Sequence, residues 1–173
     1  MKIEVRNVKH SAFASEETLC FEATVYIDGK RAGTAHNQGH GGATEFDPHE
    51  CEARLDAYAK TLPLVVTTLP DESDPSGFLT YAPTGDSLVS ELVHQVLVGR
   101  DVKRLLSRRI VYTVAGKADL FHTLPRKGTS LASTLTDARL LQTLKAETIL
   151  NLLPLSEAIA LYKDRMRLGG SKG

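Results

Sequence analysis

LCFEATVYIDGKRAGTA, residues 19–35, decides how the N-terminal half of this chain folds. Leu19, Phe21, Ala23, Val25 and Ile27 alternate with Cys20, Glu22, Thr24, Tyr26 and Asp28. Strand side chains point to opposite faces with period two, so the stretch reads as a strand with one apolar and one polar face. Asp28-Gly29 then supplies the chemistry of a tight hairpin turn, whose two central residues need positive φ. Lys30 to Ala35 is the return strand. A first strand comes from residues 2–9, where Ile3 and Val5 alternate with Lys2, Glu4 and Arg6.

Outward from the hairpin, residues 36–45 read as a glycine-bearing loop, and FDPHE (46–50) as a helix start. Asp47 is suited to the N-cap, Pro48 to the first helical position and Glu50 to the third, with Phe46 and Cys51 placed for a hydrophobic staple. Cys51, Leu55, Tyr58, Ala59 and Leu62 then recur at helical spacing before Pro63. LPLVVTTLP (62–70) contains a β-branched run expected to be a strand, and the Pro-, Ser- and Asp-rich segment 71–86 reads as a loop. From Asp86 an amphipathic helix is expected to run to Gly99, be interrupted there, and resume at Val102, Leu105 and Leu106. RRIVYTV and ADLFHTL read as strands around the turn AGKA. A helix near 136–146, a short strand in ETILNLL and a last helix in LSEAIALYKDRM follow.

These elements predict an α+β fold: an N-terminal antiparallel β-meander, a capped helix, and a helix-rich C-terminal half with a β-hairpin and a short strand. The expected organisation is a single domain over 1–168, with any division into two lobes near 71–86, and a flexible tail at 169–173.

Lys+Arg and Asp+Glu number 21 each, so the formal net charge is zero. That balance speaks against a non-specific nucleic-acid binder and against an acidic mimic of nucleic acid. The two cysteines, Cys20 and Cys51, form no CxxC pair. The first residues have no signal-peptide core, and no apolar run approaches membrane-spanning length. A cytosolic protein with reduced thiols and no membrane contact is the expectation.

Four kinds of chemistry compete for the remaining polar residues. His36, His40 and His49 lie close together with Asp47, Glu50 and Cys51, but a glycine loop does not converge its histidines by spacing, so no metal site is assigned. Gly39, Gly41 and Gly42 allow backbone angles that let consecutive N–H groups cradle an anion, although the loop lacks the GxxxxGK[ST] pattern. His36, Asn37, Gly39, His40, Gly41 and Gly42 are therefore the candidate ligand-binding set. No nucleophile stands beside a base, so no catalytic residue and no cofactor are assigned. Arg100, Lys103, Arg104, Arg108 and Arg109 form a basic segment that could meet phosphates, or be simply a solvated helix face.

Phe21, Ala23, Tyr26, Asp28, Gly29, Lys30, Asn37, Gly39, Gly41 and Gly42 reproduce a pattern in which a strand of the form F-x-A-x-[VL]-Y-x-D-G-K leads to an N-x-G-x-G-G loop. In this the chain resembles a family of phage and prophage accessory proteins, and ETILNLLPLSEAIALY is similar to their ending. The resemblance implies a small cytosolic protein made in an infected or lysogenic bacterium, and carries over no activity. The leading expectation is a non-enzymatic protein that binds a host protein, another host macromolecule or a small ligand, antagonism of host defence being one form. The alternatives are a nucleotide- or phosphoester-acting enzyme with residues 36–42 as its anion site, and nucleic-acid contact through residues 100–109.

Overall fold

The computed structural model describes residues 1–169, with Thr68, Ala138, Leu140, Leu141 and 167–169 described by backbone alone. Of the expected flexible tail, Gly169 closes the last helix and residues 170–173 lie outside the described residues. The fold is α+β. The chain divides into two compact units, Met1–Val96 and Leu97–Gly173. That boundary falls inside a helix, not in the segment 71–86 where the sequence suggested one.

The first unit opens with β1 (Ile3–His10), β2 (Phe21–Ile27) and β3 (Lys30–Asn37), an antiparallel meander extended by β4 (Glu45–Asp47). The alternation of the sequence is the alternation of burial: Phe21, Ala23, Val25 and Ile27 are buried while Glu22 faces out. Burying each larger apolar side chain of that face contributes about 1.5–3 kcal/mol. Asp28 and Gly29 take φ of +50° and +79°, as the hairpin demands. β4 was expected as loop. Three residues are too few to show a period, and it forms by pairing Thr34 with Asp47 and Ala35 with Phe46.

That pairing also corrects the helix start. In α1 (His49–Ala59) the N-cap is Pro48, without a side-chain cap hydrogen bond, and Asp47 is the last residue of β4. The Asp47 carbonyl accepts from Thr34 Oγ1 at 3.3 Å, so the sheet takes the residue that the capping box needed. Glu50 and Glu52 in the first turn still favour the helix dipole. Cys51, Leu55 and Ala59 are fully buried at four-residue spacing. Glycine at 33 lets α1 approach β3, because a Cβ there would lie 2.6 Å from the Asp47 carbonyl oxygen and 3.1 Å from Cys51 Cβ.

α2 (Gly85–Leu106) runs unbroken through Gly99, where an interruption was expected. A helix tolerates one glycine at a cost of about 1 kcal/mol. Thr84 and Ser87 exchange backbone-to-hydroxyl hydrogen bonds at its start, and Asp56 Oδ1 accepts from the Gly85 amide at 2.7 Å. Val89 and Val93 are fully buried. Between α1 and α2 lie β5 (Val65–Pro70) and β6 (Phe78–Tyr81), a two-stranded antiparallel sheet. β6 replaces part of the expected 71–86 loop.

In the second unit, β7 (Ile110–Val114) is central, flanked by β8 (Phe121–Thr123) and β9 (Ala146–Ile149), all antiparallel. α3 (Leu131–Leu135), unassigned from sequence, is capped by Ser130, whose hydroxyl accepts from the Ser133 amide at 3.1 Å. α4 (Ala138–Leu144) precedes β9. The strand expected through ETILNLL stops at Ile149. A 3-10 turn at Leu150–Leu152 follows and sends Leu150 into a core with Val111 and Ala158. α5 (Leu155–Gly169) closes the unit. No helix among the described residues is long and apolar enough to cross a membrane.

Candidate functional site

The glycine loop, 37–44, is built around Asn37, whose side chain is buried at the end of β3. Its Oδ1 accepts from the Gly39 amide at 2.8 Å and from Thr18 Oγ1 at 2.9 Å, and its Nδ2 donates to the Gly42 carbonyl at 2.8 Å. Gly39, at φ +92°, presses against the β1–β2 connection, where its carbonyl accepts from the amides of Glu16, Glu17 and Thr18 at 2.9–3.3 Å. A Cβ at Gly39 would come within 2.0 Å of the Ala14 carbonyl oxygen. The Gly41 amide donates to Thr18 Oγ1 at 3.3 Å. Two amides that an anion nest would use, those of Gly39 and Gly41, are thus given to side chains of the protein itself, and the loop clasps its neighbour.

The three histidines do not share a partner. His36 Nε2 lies 3.2 Å from Glu45, His40 Nδ1 3.3 Å from Glu16, and His49 Nδ1 3.0 Å from Glu52. Among the described residues no three His, Cys, Asp or Glu side chains are grouped to hold a metal. Cys51 is buried, and burial pushes its thiol up from the ordinary range, which disfavours the nucleophilic thiolate.

The basic segment separates into two parts. Arg100, Lys103 and Arg104 lie on the exposed face of α2 opposite the buried Val102, and the last two complement the negative C-terminal end of the helix. Arg108 and Arg109 occupy the turn after it, both amides donating to the Leu105 carbonyl. Asn151 pins that turn. Its Nδ2 donates to the carbonyls of Leu106 and Arg109, and its Oδ1 accepts from the Val111 amide, each at 2.8 Å. Arg109 Nη1 donates to His122 Nδ1 at 2.9 Å. Arg104, Arg108 and Arg109, with Asp101, Leu105 and Tyr162, line a shallow depression of about 460 Å³. Asn151 and Tyr162 carried no signal in sequence, since both come from far along the chain.

The β5–β6 arm is the third site, and sequence reasoning passed over it. Leu64, Val66 and Leu69 are 61, 58 and 60% exposed, and Val65, Phe78, Leu79 and Tyr81 are exposed beside them. Among the described residues the two strands pair with each other and with no further strand, so both outer edges offer backbone groups. The tip is hydrogen-bonded by its own side chains. Asp71 Oδ1 accepts from the Ser73 amide and hydroxyl at 2.9 and 2.6 Å, and Asp74 accepts from the Ser76 amide and hydroxyl and from Thr80 Oγ1. Those hydrogen bonds hold both carboxyls below the usual carboxylate range. Asp71, Glu72 and Asp74 make the tip acidic, and no lysine or arginine occurs between Lys60 and Arg100.

Set against protein-family models, curated proteins and solved structures, the chain matches none.

Proposed function

We propose that this chain is a small cytosolic accessory protein of phage or prophage type. It acts by binding a protein of its bacterial host through the β5–β6 arm, antagonism of host defence being one form. The observation that carries the reading is the arm itself, seven apolar residues exposed on a two-stranded sheet. Together they expose on the order of 600 Å², divided between the two faces of the sheet, since neighbours such as Val65 and Val66 point to opposite sides. One side of a standard interface is about 800 Å², so either face of the arm supplies part of one and its strand edge adds to it. A hairpin of two strands is marginal in water unless a third element covers it. The acidic tip defines the complement: an apolar groove with a basic rim, whose strand edge adds to β5 or β6.

The test is capture from bacterial lysate with three forms of the full chain: wild type, Leu69→Ser/Leu79→Ser, and Arg104→Ala/Arg108→Ala. The reading expects one host protein held by the wild type and by the arginine variant and lost by the arm variant. Capture that survives the arm substitutions, or no specific capture, overturns it.

A further inference from the structure

The depression at the end of α2 is not used by the arm reading and does not depend on it. Three arginines, Arg104, Arg108 and Arg109, line it with one carboxylate, Asp101. The Arg104–Asp101 pair spans 3.4 Å with both side chains about 70% exposed, and such surface pairs bind weakly enough to yield to a better anion. Arg109 is aimed by its hydrogen bond to His122, and the backbone that carries Arg108 and Arg109 is fixed by Asn151. The turn from which Arg108 and Arg109 project is therefore fixed at its backbone. Lys103 and Arg104 on α2, and Arg108 and Arg109 in the turn bonded to the Leu105 carbonyl, all lie near the negative C-terminal end of that helix.

The other part of the lining is apolar and flat: Leu105 from α2 and Tyr162 from α5, both half-buried against the Val111–Leu150–Ala158 core. A phosphate alone would need the arginines and not the ring. An acidic peptide would need the arginines and no planar surface. Arginines that take phosphate oxygens in a fork, beside a ring that can stack, fit a nucleotide. We propose that this depression is a nucleotide-binding site, with the phosphate on Arg104 and Arg108 and the base against Tyr162. The nucleotide is either free or the 5′ end of a single strand, since the same chemistry serves both.

The test titrates the full chain at low salt with AMP, a 5′-phosphorylated oligothymidylate and inorganic phosphate, followed by calorimetry. At least one nucleotide ligand should bind about tenfold more tightly than phosphate. AMP binding as well as the oligomer does identifies a free nucleotide, and a preference for the oligomer identifies a strand end. Arg104→Ala/Arg108→Ala, both exposed, should lower nucleotide affinity at least tenfold without moving the melting temperature. Tyr162→Leu should bring nucleotide affinity down to that of phosphate and leave phosphate binding in place. Should Tyr162→Leu fail to fold, the wild-type preference for nucleotide over phosphate decides instead. Equal binding of all three ligands, no binding at millimolar concentration, or an arginine variant that binds like wild type overturns the proposal.

Discussion

The glycine loop and the β5–β6 arm are opposites. The glycine loop and its flanks spend their polar groups on their own chain: Asn37 makes three hydrogen bonds, the Gly39 carbonyl receives three amides, and His36, His40 and His49 each have their own glutamate. The arm, which reads as strand and linker, leaves seven apolar side chains and two strand edges uncovered. Residue types that suggest chemistry can be fully occupied in building a turn, while ordinary leucines and valines become the open surface once a short strand pairs them.

The sharpest test of that contrast uses two glycines. Both Gly39 and Gly77 have positive φ, but a Cβ at Gly39 would collide with the Ala14 carbonyl, and one at Gly77 meets nothing within 4 Å. Gly39→Ala should cost about 3 kcal/mol or more in denaturant unfolding, and Gly77→Ala only the left-handed penalty of about 1–2 kcal/mol. Equal costs would mean that the loop is not clasped.

Next in size, Asn37→Ala strands the buried Gly39 amide and removes the ties to Thr18 and Gly42, and should cost about 2–3 kcal/mol. Leu69→Ser on the exposed arm should stay within about 0.5 kcal/mol of wild type. A large loss at Leu69 would show the arm to be part of a core.

The arm's tip should respond to acid. Asp71 and Asp74 have folded-state pKa values below their ordinary ones, so the order they contribute is present above the ordinary carboxylate range and is lost as pH falls through the folded values. Amide exchange at residues 71–80 should therefore gain on exchange at 36–42 as the solution is acidified from neutral, once the intrinsic pH effect is removed. Asp74→Asn should flatten that response. The smallest effect is at His40: its pair with Glu16 is exposed, and His40→Ala should change stability by no more than about 0.5 kcal/mol.

Much of the first unit is legible from residues alone because β2 and α1 carry long, clean periods, and Asp28-Gly29 names its own turn. β4 and β6 are not legible, since strands of three and four residues are made by their partners and not by their own pattern. The Asp47 cap reads well locally and fails because the sheet competes for the same residue. The candidate surfaces follow the same division. The positions of Arg100, Lys103, Arg104, Arg108 and Arg109 are plain in sequence. Which three of them meet Tyr162, and that Asn151 holds their turn, depends on pairings between distant segments.

One measurement tests the account most directly: hydrogen–deuterium exchange across the full chain, alone and bound to the protein it captures. The account predicts slowed exchange in residues 64–81 on binding, with 36–42 unchanged. Protection that appears at 36–42 while the arm stays as it was would contradict it.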